Sequence, residues 1–201
     1  MLKDLLFVAL AYLLGSLPNG LYVAKMKNVD IRNEGSKNTG ATNVFRVMGA
    51  KFGIFVLILD ALKGFLPLFL AEKFGIEGNI LVLIGVTAVI GHTFSPFLNF
   101  KGGKGVATSL GIFLYLTPVP MLITLLMFFI VVGISKYVSL GSVLASIMLP
   151  LLVLIMPVNE KLGNKWVVFL ISALLGAYII YKHRTNIERL KNGTENKFYK
   201  K

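Results

Sequence analysis

Gly91–Ser109 reads GHTFSPFLNFKGGKGVATS. The stretch lies between two long apolar runs and sets Gly91, Gly102, Gly103 and Gly105 around Lys101 and Lys104. Glycine lets backbone N–H groups come close to a ligand. Two ammonium groups among such N–H groups suit an anion, above all a phosphate. A helix starting near Val106 adds the positive end of its dipole. The run is not a P-loop, because Gly105 rather than Ser or Thr follows Lys104. On these residues alone it reads equally as a flexible glycine loop whose lysines sit at a membrane surface.

The apolar run that follows, Val106–Leu116, is short for a membrane crossing, which takes about 20 residues. Part of the preceding loop must then dip into the membrane, which is allowed only where protein or a watery cavity covers its backbone. The glycine loop is thereby placed at the mouth of a cavity. Composition supports a membrane setting. Of 201 residues 56% are hydrophobic, and the mean hydropathy is +0.77. Such a chain reads as an all-α, polytopic membrane protein, taken as one integral membrane domain over residues 1–201.

The formal charge is +12. In this setting it points to anionic lipid head groups of the bilayer and to phosphorylated substrates rather than to nucleic acid. Cysteine is absent, which excludes disulfides, thiol catalysis and thiolate metal sites. Two histidines without a carboxylate cluster argue against a metal site, and nothing calls for a cofactor.

Seven crossings are predicted. Leu5–Ala24 is read as a retained transmembrane helix rather than a signal peptide. Phe52–Leu70 follows, interrupted by Asp60 and Lys63, which are three apart on one helix face and able to pair. Asn79–Ile90, Val106–Leu116, Met121–Ile134, Leu144–Met156 and Trp166–Tyr181 complete the set, with Trp166 and Tyr181 as interfacial anchors. Lys136–Ser142 is read as a polar break, and the tail from Lys182 as starting in continuation of the last helix. One set of loops carries sixteen Lys and Arg and the other carries four. By the positive-inside rule the first set is cytoplasmic, the N-terminus outside and the C-terminus inside.

All the unusual polar segments fall on that cytoplasmic side. They bring Ser36, Asn38, Thr42, Asn43 and Arg46 from the first loop, and His92, Lys101 and Lys104 from the glycine loop. Ser139 and Ser142 come from the polar break, and His183, Arg184 and Asn186 from the tail. The set has more cations and amide donors than bases, which suits holding one or two phosphates better than splitting water. Helix packing for Ser142 and an interfacial helix end for His183 are the competing structural readings.

Four segments together, DIRNEGSKNTGATNVFRVMG, GHTFSPFLNFKGGKGVAT, YVSLGS and HRTNIERLKNGTE, resemble the successive motifs of the bacterial acyl-phosphate:glycerol-3-phosphate acyltransferases, the PlsY family. Two positions depart from the family pattern: Lys37 stands where glycine is usual and Thr185 where glutamate is common. The resemblance implies transfer of a fatty acyl group from acyl phosphate to the sn-1 hydroxyl of glycerol 3-phosphate in phospholipid biosynthesis, giving lysophosphatidate and phosphate. It further implies the bacterial inner membrane, a cytoplasmic-face active site, and the soluble enzyme that makes acyl phosphate as a partner. Carried onto this chain, it puts Arg46, Lys104, Ser142, His183 and Asn186 in catalytic roles.

Under that resemblance Lys104 and the N–H groups near Gly102 and Gly103 hold one phosphate, and Arg46 with Ser36 and Asn38 holds another. Ser142, His183 and Asn186 orient glycerol 3-phosphate, with His183 accepting its proton. Thr42, Asn43, His92, Lys101, Gly105, Ser139 and Arg184 complete the substrate-binding set. Glu195 is expected to pair with basic residues of the tail.

Two other readings are weaker. The H-x-x-x-x-D pattern of soluble-type acyltransferases is missing at His92, where Phe97 holds the acidic place. At His183 it would use Glu188, five residues on and poorly opposed on a helix. A transporter of an anionic organophosphate would show internal repeats and matched broken helices, whereas each motif here occurs once.

Overall fold

The computed structural model describes residues 1–198, which are helix and connecting loop with no strand among them. Six helical segments are long and apolar enough to cross a membrane, and Val106–Leu116 is a shorter apolar helix. The six do not match the predicted boundaries in detail.

The first crossing is two helices, α1 (Leu2–Ser16) and α2 (Asn19–Lys25). Pro18 has no N–H to continue the ladder, and the residue before it is pushed to extended backbone; Leu17 has ψ 119°. The carbonyl freed at Leu17 is taken by Lys63 Nζ at 2.8 Å. The loop after α2 contains a short amphipathic helix, α3 (Ala41–Met48), with Asn43 and Val44 buried. Ala50–Lys73 forms α4, longer than predicted at both ends. The expected pair is present: Lys63 Nζ lies 3.0 Å from Asp60 Oδ1, and both side chains are buried.

Asn79–Thr93 (α5) runs toward the glycine loop, and Val106–Leu116 (α6) leaves it with the predicted bounds. Small residues let α6 lie against α4. A Cβ on Gly64 would sit 2.2 Å from the Thr108 oxygen, and one on Gly111 would sit 1.9 Å from the Ala61 oxygen. Close backbone approach of this kind drives helix association where lipid removes the hydrophobic contrast.

Pro118–Ser135 (α7) opens with proline at its first position, where a missing N–H costs nothing. The predicted polar break at Lys136–Ser142 is a correction. Only Lys136 and Tyr137 interrupt the chain, and α8 (Val138–Ile155) already carries Ser139 and Ser142 on its first turns. Their side chains face inward, so helix is satisfied where a composition argument sees a loop.

The last long helix, α9 (Lys165–Lys182), ends at His183, and a separate helix, α10 (Arg184–Lys191), follows. The tail thus starts in continuation of the last helix, at Lys182, and turns at His183. Tyr199, Lys200 and Lys201, the end of that predicted tail, lie outside the described residues.

Two cores hold this together. One joins Leu81, Ile84 and Ala88 of α5 with Ile112 and Phe113 of α6 and Val168 of α9. The other joins Leu21, Val23 and Ala24 of α2 to Ile31, Val44 and Val56, fixing the loop and α3 over one end of the bundle. Ile31 and Val44 are fully buried, each worth about 1.5–3 kcal/mol by transfer.

Candidate active site

The glycine loop is docked on the end of α5. Gly102 N–H donates to the Thr93 oxygen (2.9 Å) and Gly103 N–H to the His92 oxygen (3.2 Å). A Cβ on Gly103 would meet His92 Nε2 at 2.1 Å, and one on Gly102 would meet the His92 oxygen at 2.0 Å. Both glycines are required for this docking, and both N–H groups are engaged. The expected phosphate cradle at Gly102 and Gly103 is corrected on that ground. The N–H groups of Lys104 and Gly105, like those of the first turn of α6, have no backbone partner among the described residues. Gly105 caps that turn with φ +87°, which favours glycine.

A cavity of about 630 Å³ opens beside this turn. Its polar end is lined by Ser36, Asn38, Thr42, Asn43 and Arg46 from the first loop and α3, and by His92, Lys104 and Gly105. Ser139, Ser142, His183, Asn186 and Arg189 line it from α8 through α10. Its apolar end is lined by Phe113, Met121, Leu125, Phe128, Leu149 and Leu175. Most of the predicted constellation thus surrounds one space. Lys101, Gly102, Gly103 and Arg184 do not. Lys101 is exposed, and Arg184 lies over the Tyr181 ring at 4.6 Å with its guanidinium on the Tyr181 oxygen.

A chain of hydrogen bonds orders the polar end. Lys104 Nζ donates to Asn186 Oδ1 at 2.5 Å, and Asn186 Nδ2 donates to Glu195 Oε1 at 2.7 Å. Ser139 Oγ donates to the same carboxylate oxygen at 2.9 Å, and Arg189 Nε to the other at 2.7 Å. The expected pairing of Glu195 with a basic tail residue is present in Arg189. The carboxylate also organises two predicted site residues. Burial alone would raise its pKa, but the bonds from Asn186, Arg189 and Ser139 outweigh that and hold it below the usual range.

Burial lowers the Lys104 pKa to about 8; Arg189, Arg46 and Lys182 add to the shift, and Glu195 opposes it. Arg46 is also shifted down by burial, with Arg189 adding to it against Glu195. Its Nη2 donates to the Asn196 oxygen at 3.1 Å, and its buried Nε has no partner among the described residues. The tail closes over this end: the Phe198 ring stacks on Phe45 with centroids 4.2 Å apart, and Phe198 N–H donates to the Lys136 oxygen.

His183 sits at the turn between α9 and α10 and is buried. Its Nδ1 lies 2.8 Å from the Ile179 oxygen, which can only accept, so Nδ1 carries the proton and Nε2 keeps a lone pair. Burial, reinforced by the Lys104 charge, brings its pKa to about 4 against the opposing Ile179 bond and Glu195. The ring is neutral near pH 7.

Ser142 Oγ donates to the Val138 oxygen at 2.9 Å, leaving its lone pairs as acceptors. Asn43 is a loop organiser. Its Nδ2 bonds the Ile31, Glu34 and Asn38 oxygens, and its Oδ1 accepts from Ser36 N–H. Asn38 Oδ1 likewise accepts from Gly40 N–H.

Sequence reading left Arg189 and Ser109 without roles, and the whole apolar end unassigned. The spacing Gly105, Val106, Ser109, Leu110, Phe113 along α6 was the available signal, since it repeats on one helix face.

The sequence model of the family described as "Glycerol-3-phosphate acyltransferase" matches residues 5–193. A glycerol-3-phosphate acyltransferase of Fusobacterium nucleatum is 50% identical over 193 residues, 96% of each chain. That of Aquifex aeolicus is 45% identical over 98% of this chain and 100% of its own. A crystal structure of PlsY, an integral membrane glycerol 3-phosphate acyltransferase in its glycerol 3-phosphate form, is 42% identical. It superposes with a TM-score of 0.88 over 98% of this chain and 96% of that one. The lysophosphatidic acid form gives 0.82 at 41% identity over 96% and 94%. The family match spans every helix that lines the cavity, and on that extent of agreement this multi-pass membrane protein belongs to the glycerol-3-phosphate acyltransferase family.

Proposed function

We propose that the protein transfers a fatty acyl group from acyl phosphate to the sn-1 hydroxyl of glycerol 3-phosphate, releasing lysophosphatidate and phosphate. The observation that carries this reading is one cavity with Arg46, Lys104 and His183 at one end and an apolar lining at the other. A polar substrate and a chain-bearing one meet there, and a solved relative is described in forms holding glycerol 3-phosphate and its acylated product.

Acyl phosphate is a mixed anhydride with a good leaving group, so no acyl-enzyme is required. Catalysis then rests on positioning and on stabilising developing charge. Lys104 and the first turn of α6 hold one phosphate, and Arg46 with Ser36, Asn38 and Thr42 holds the other. Ser142 accepts a hydrogen bond from the glycerol moiety. His183 Nε2 takes the proton of the attacking hydroxyl. Asn186 and Ser139 act through Glu195 and Lys104, and Asn43, Gly102, Gly103 and His92 shape the loops that carry these groups.

In this reading the chain is one integral membrane domain of seven crossings, α6 being the short one, in the bacterial inner membrane. The charge bias puts the site and the C-terminus in the cytoplasm. A soluble acyl-phosphate-forming enzyme supplies the donor.

The test is to incubate purified protein with acyl phosphate and glycerol 3-phosphate, without thioester. Lysophosphatidate and phosphate should appear only when both are present. Sealed vesicles containing the protein should take up no glycerol 3-phosphate when donor is absent. Uptake against phosphate without lysophosphatidate would establish a transporter instead.

A further inference from the structure

We propose that Ser109 is a catalytic residue whose hydroxyl donates a hydrogen bond to the carbonyl oxygen of the acyl donor; the proposal rests on the acyl-phosphate reading above.

Ser109 is 6% exposed, and its Oγ has no hydrogen-bond partner among the described residues. Serine and threonine inside helices ordinarily bond back to the carbonyl four residues earlier. Thr124, Ser135, Ser142 and Ser146 all do so here, at 2.7–2.9 Å. Ser109 does not; the Gly105 oxygen takes only its N–H, at 2.8 Å. A buried donor left without a partner is costly, and this one lies in the wall of the cavity.

Position on α6 gives the hydroxyl its ligand. Gly105, which caps α6, and Val106, Ala107, Ser109, Leu110 and Phe113 of α6 line the cavity. At 1.5 Å per residue, Ser109 is about 6 Å along the axis from Gly105, and Phe113 about 12 Å. The wall therefore presents a cationic anion-binding end, then one hydroxyl, then apolar surface. An acyl phosphate presents phosphate, then carbonyl, then alkyl chain. Aligning the two in that order brings the carbonyl oxygen, rather than the phosphate, to the level of Ser109. The positive end of α6 adds to the field at the same place.

In the reaction the glycerol 3-phosphate hydroxyl oxygen bonds to the carbonyl carbon and the carbon–oxygen bond to phosphate breaks. His183 takes the hydroxyl proton and passes it to the released phosphate. Negative charge builds on the carbonyl oxygen in between, and a donor aimed there stabilises that charge.

The experiment compares wild type with Ser109→Ala in full-length protein. Turnover with acyl phosphate should fall about 10–100-fold, the scale of one buried donor lost, with KM for glycerol 3-phosphate unchanged. Two inert inhibitors give the readout that a packing role would not move. An acyl phosphonate keeps the carbonyl, and an alkyl phosphonate of equal length lacks it. Ser109→Ala should weaken the first about tenfold and leave the second unchanged. The carbonyl stretch of the bound acyl phosphonate should also lie at lower frequency in wild type than in the variant. Equal weakening of both inhibitors, or unchanged affinity for the acyl phosphonate, overturns the proposal. Wild-type protein that binds neither phosphonate and releases no phosphate from acyl phosphate would overturn the underlying reading instead.

Discussion

Lys104 and Asn186, 82 residues apart in the chain, meet with the ammonium donating to the amide oxygen at 2.5 Å. The contact ties the glycine loop to α10 and depends on the turn at His183. Glu195 does not touch Lys104 directly; it holds the amide that holds the lysine. A carboxylate on the ammonium would offset the charge that a phosphate is to receive. A neutral amide fixes its place and leaves that charge available.

That charge should be visible in the pH profile. With its pKa brought to about 8 by burial, Lys104 is cationic below that value and neutral above it. kcat/KM for acyl phosphate reports the enzyme before the donor binds and should fall as pH rises through about 8. Lys104→Arg, which keeps its charge, should move the fall upward, and Lys104→Ala should lose at least ~10²-fold in turnover. Loss of stability through this group is not the cause. Between about 8 and the ordinary value of 10.5 the unfolded chain binds more protons at this site, so its contribution to stability increases with pH there. A flat profile for wild type would remove Lys104 from the phosphate site.

Glu195→Gln retains an acceptor for Ser139 and Asn186 but loses the charge facing Arg189. Because the Arg189 side chain is 37% exposed, that pair is partly screened and its loss should cost at most about 1 kcal/mol. Glu195→Ala strands all three donors and should cost more, about 1–3 kcal/mol. Thermal unfolding in detergent measures both. Equal melting temperatures for the two variants would show that the carboxylate organises nothing.

Asp60 and Lys63 pin the break between α1 and α2, since Asp60 Oδ1 also accepts from Asn19 Nδ2 at 3.0 Å. Asp60→Leu leaves a buried ammonium without its counterion, and should destabilise by about 3–5 kcal/mol. Adding Lys63→Met should recover much of that loss. A double variant as unstable as the sum of the two singles would show that the charges do not interact.

Orientation is checked with single cysteines in a chain that has none. Lys73→Cys should react with an impermeant thiol reagent added to intact cells, and Asn192→Cys only after the membrane is opened. Labelling of both from outside would contradict a cytoplasmic site.

Apolar runs separated by polar loops were legible along the chain because spanning helices satisfy their own backbone, so composition alone reports them. Val106–Leu116 and the Asp60–Lys63 pair were readable for the same local reason. The motif residues were legible as types, since cations and amides in quantity have few uses beside lipid. What the chain could not state was which donors are free. Gly102 and Gly103 spend their N–H groups on α5, Ser142 spends its proton on its own helix, and Ser109 spends nothing. Glu195 reaches Ser139 across 56 residues because α10 turns back at His183. Hydrogen-bond satisfaction is settled by distant segments arriving together, and only the tertiary structure decides it.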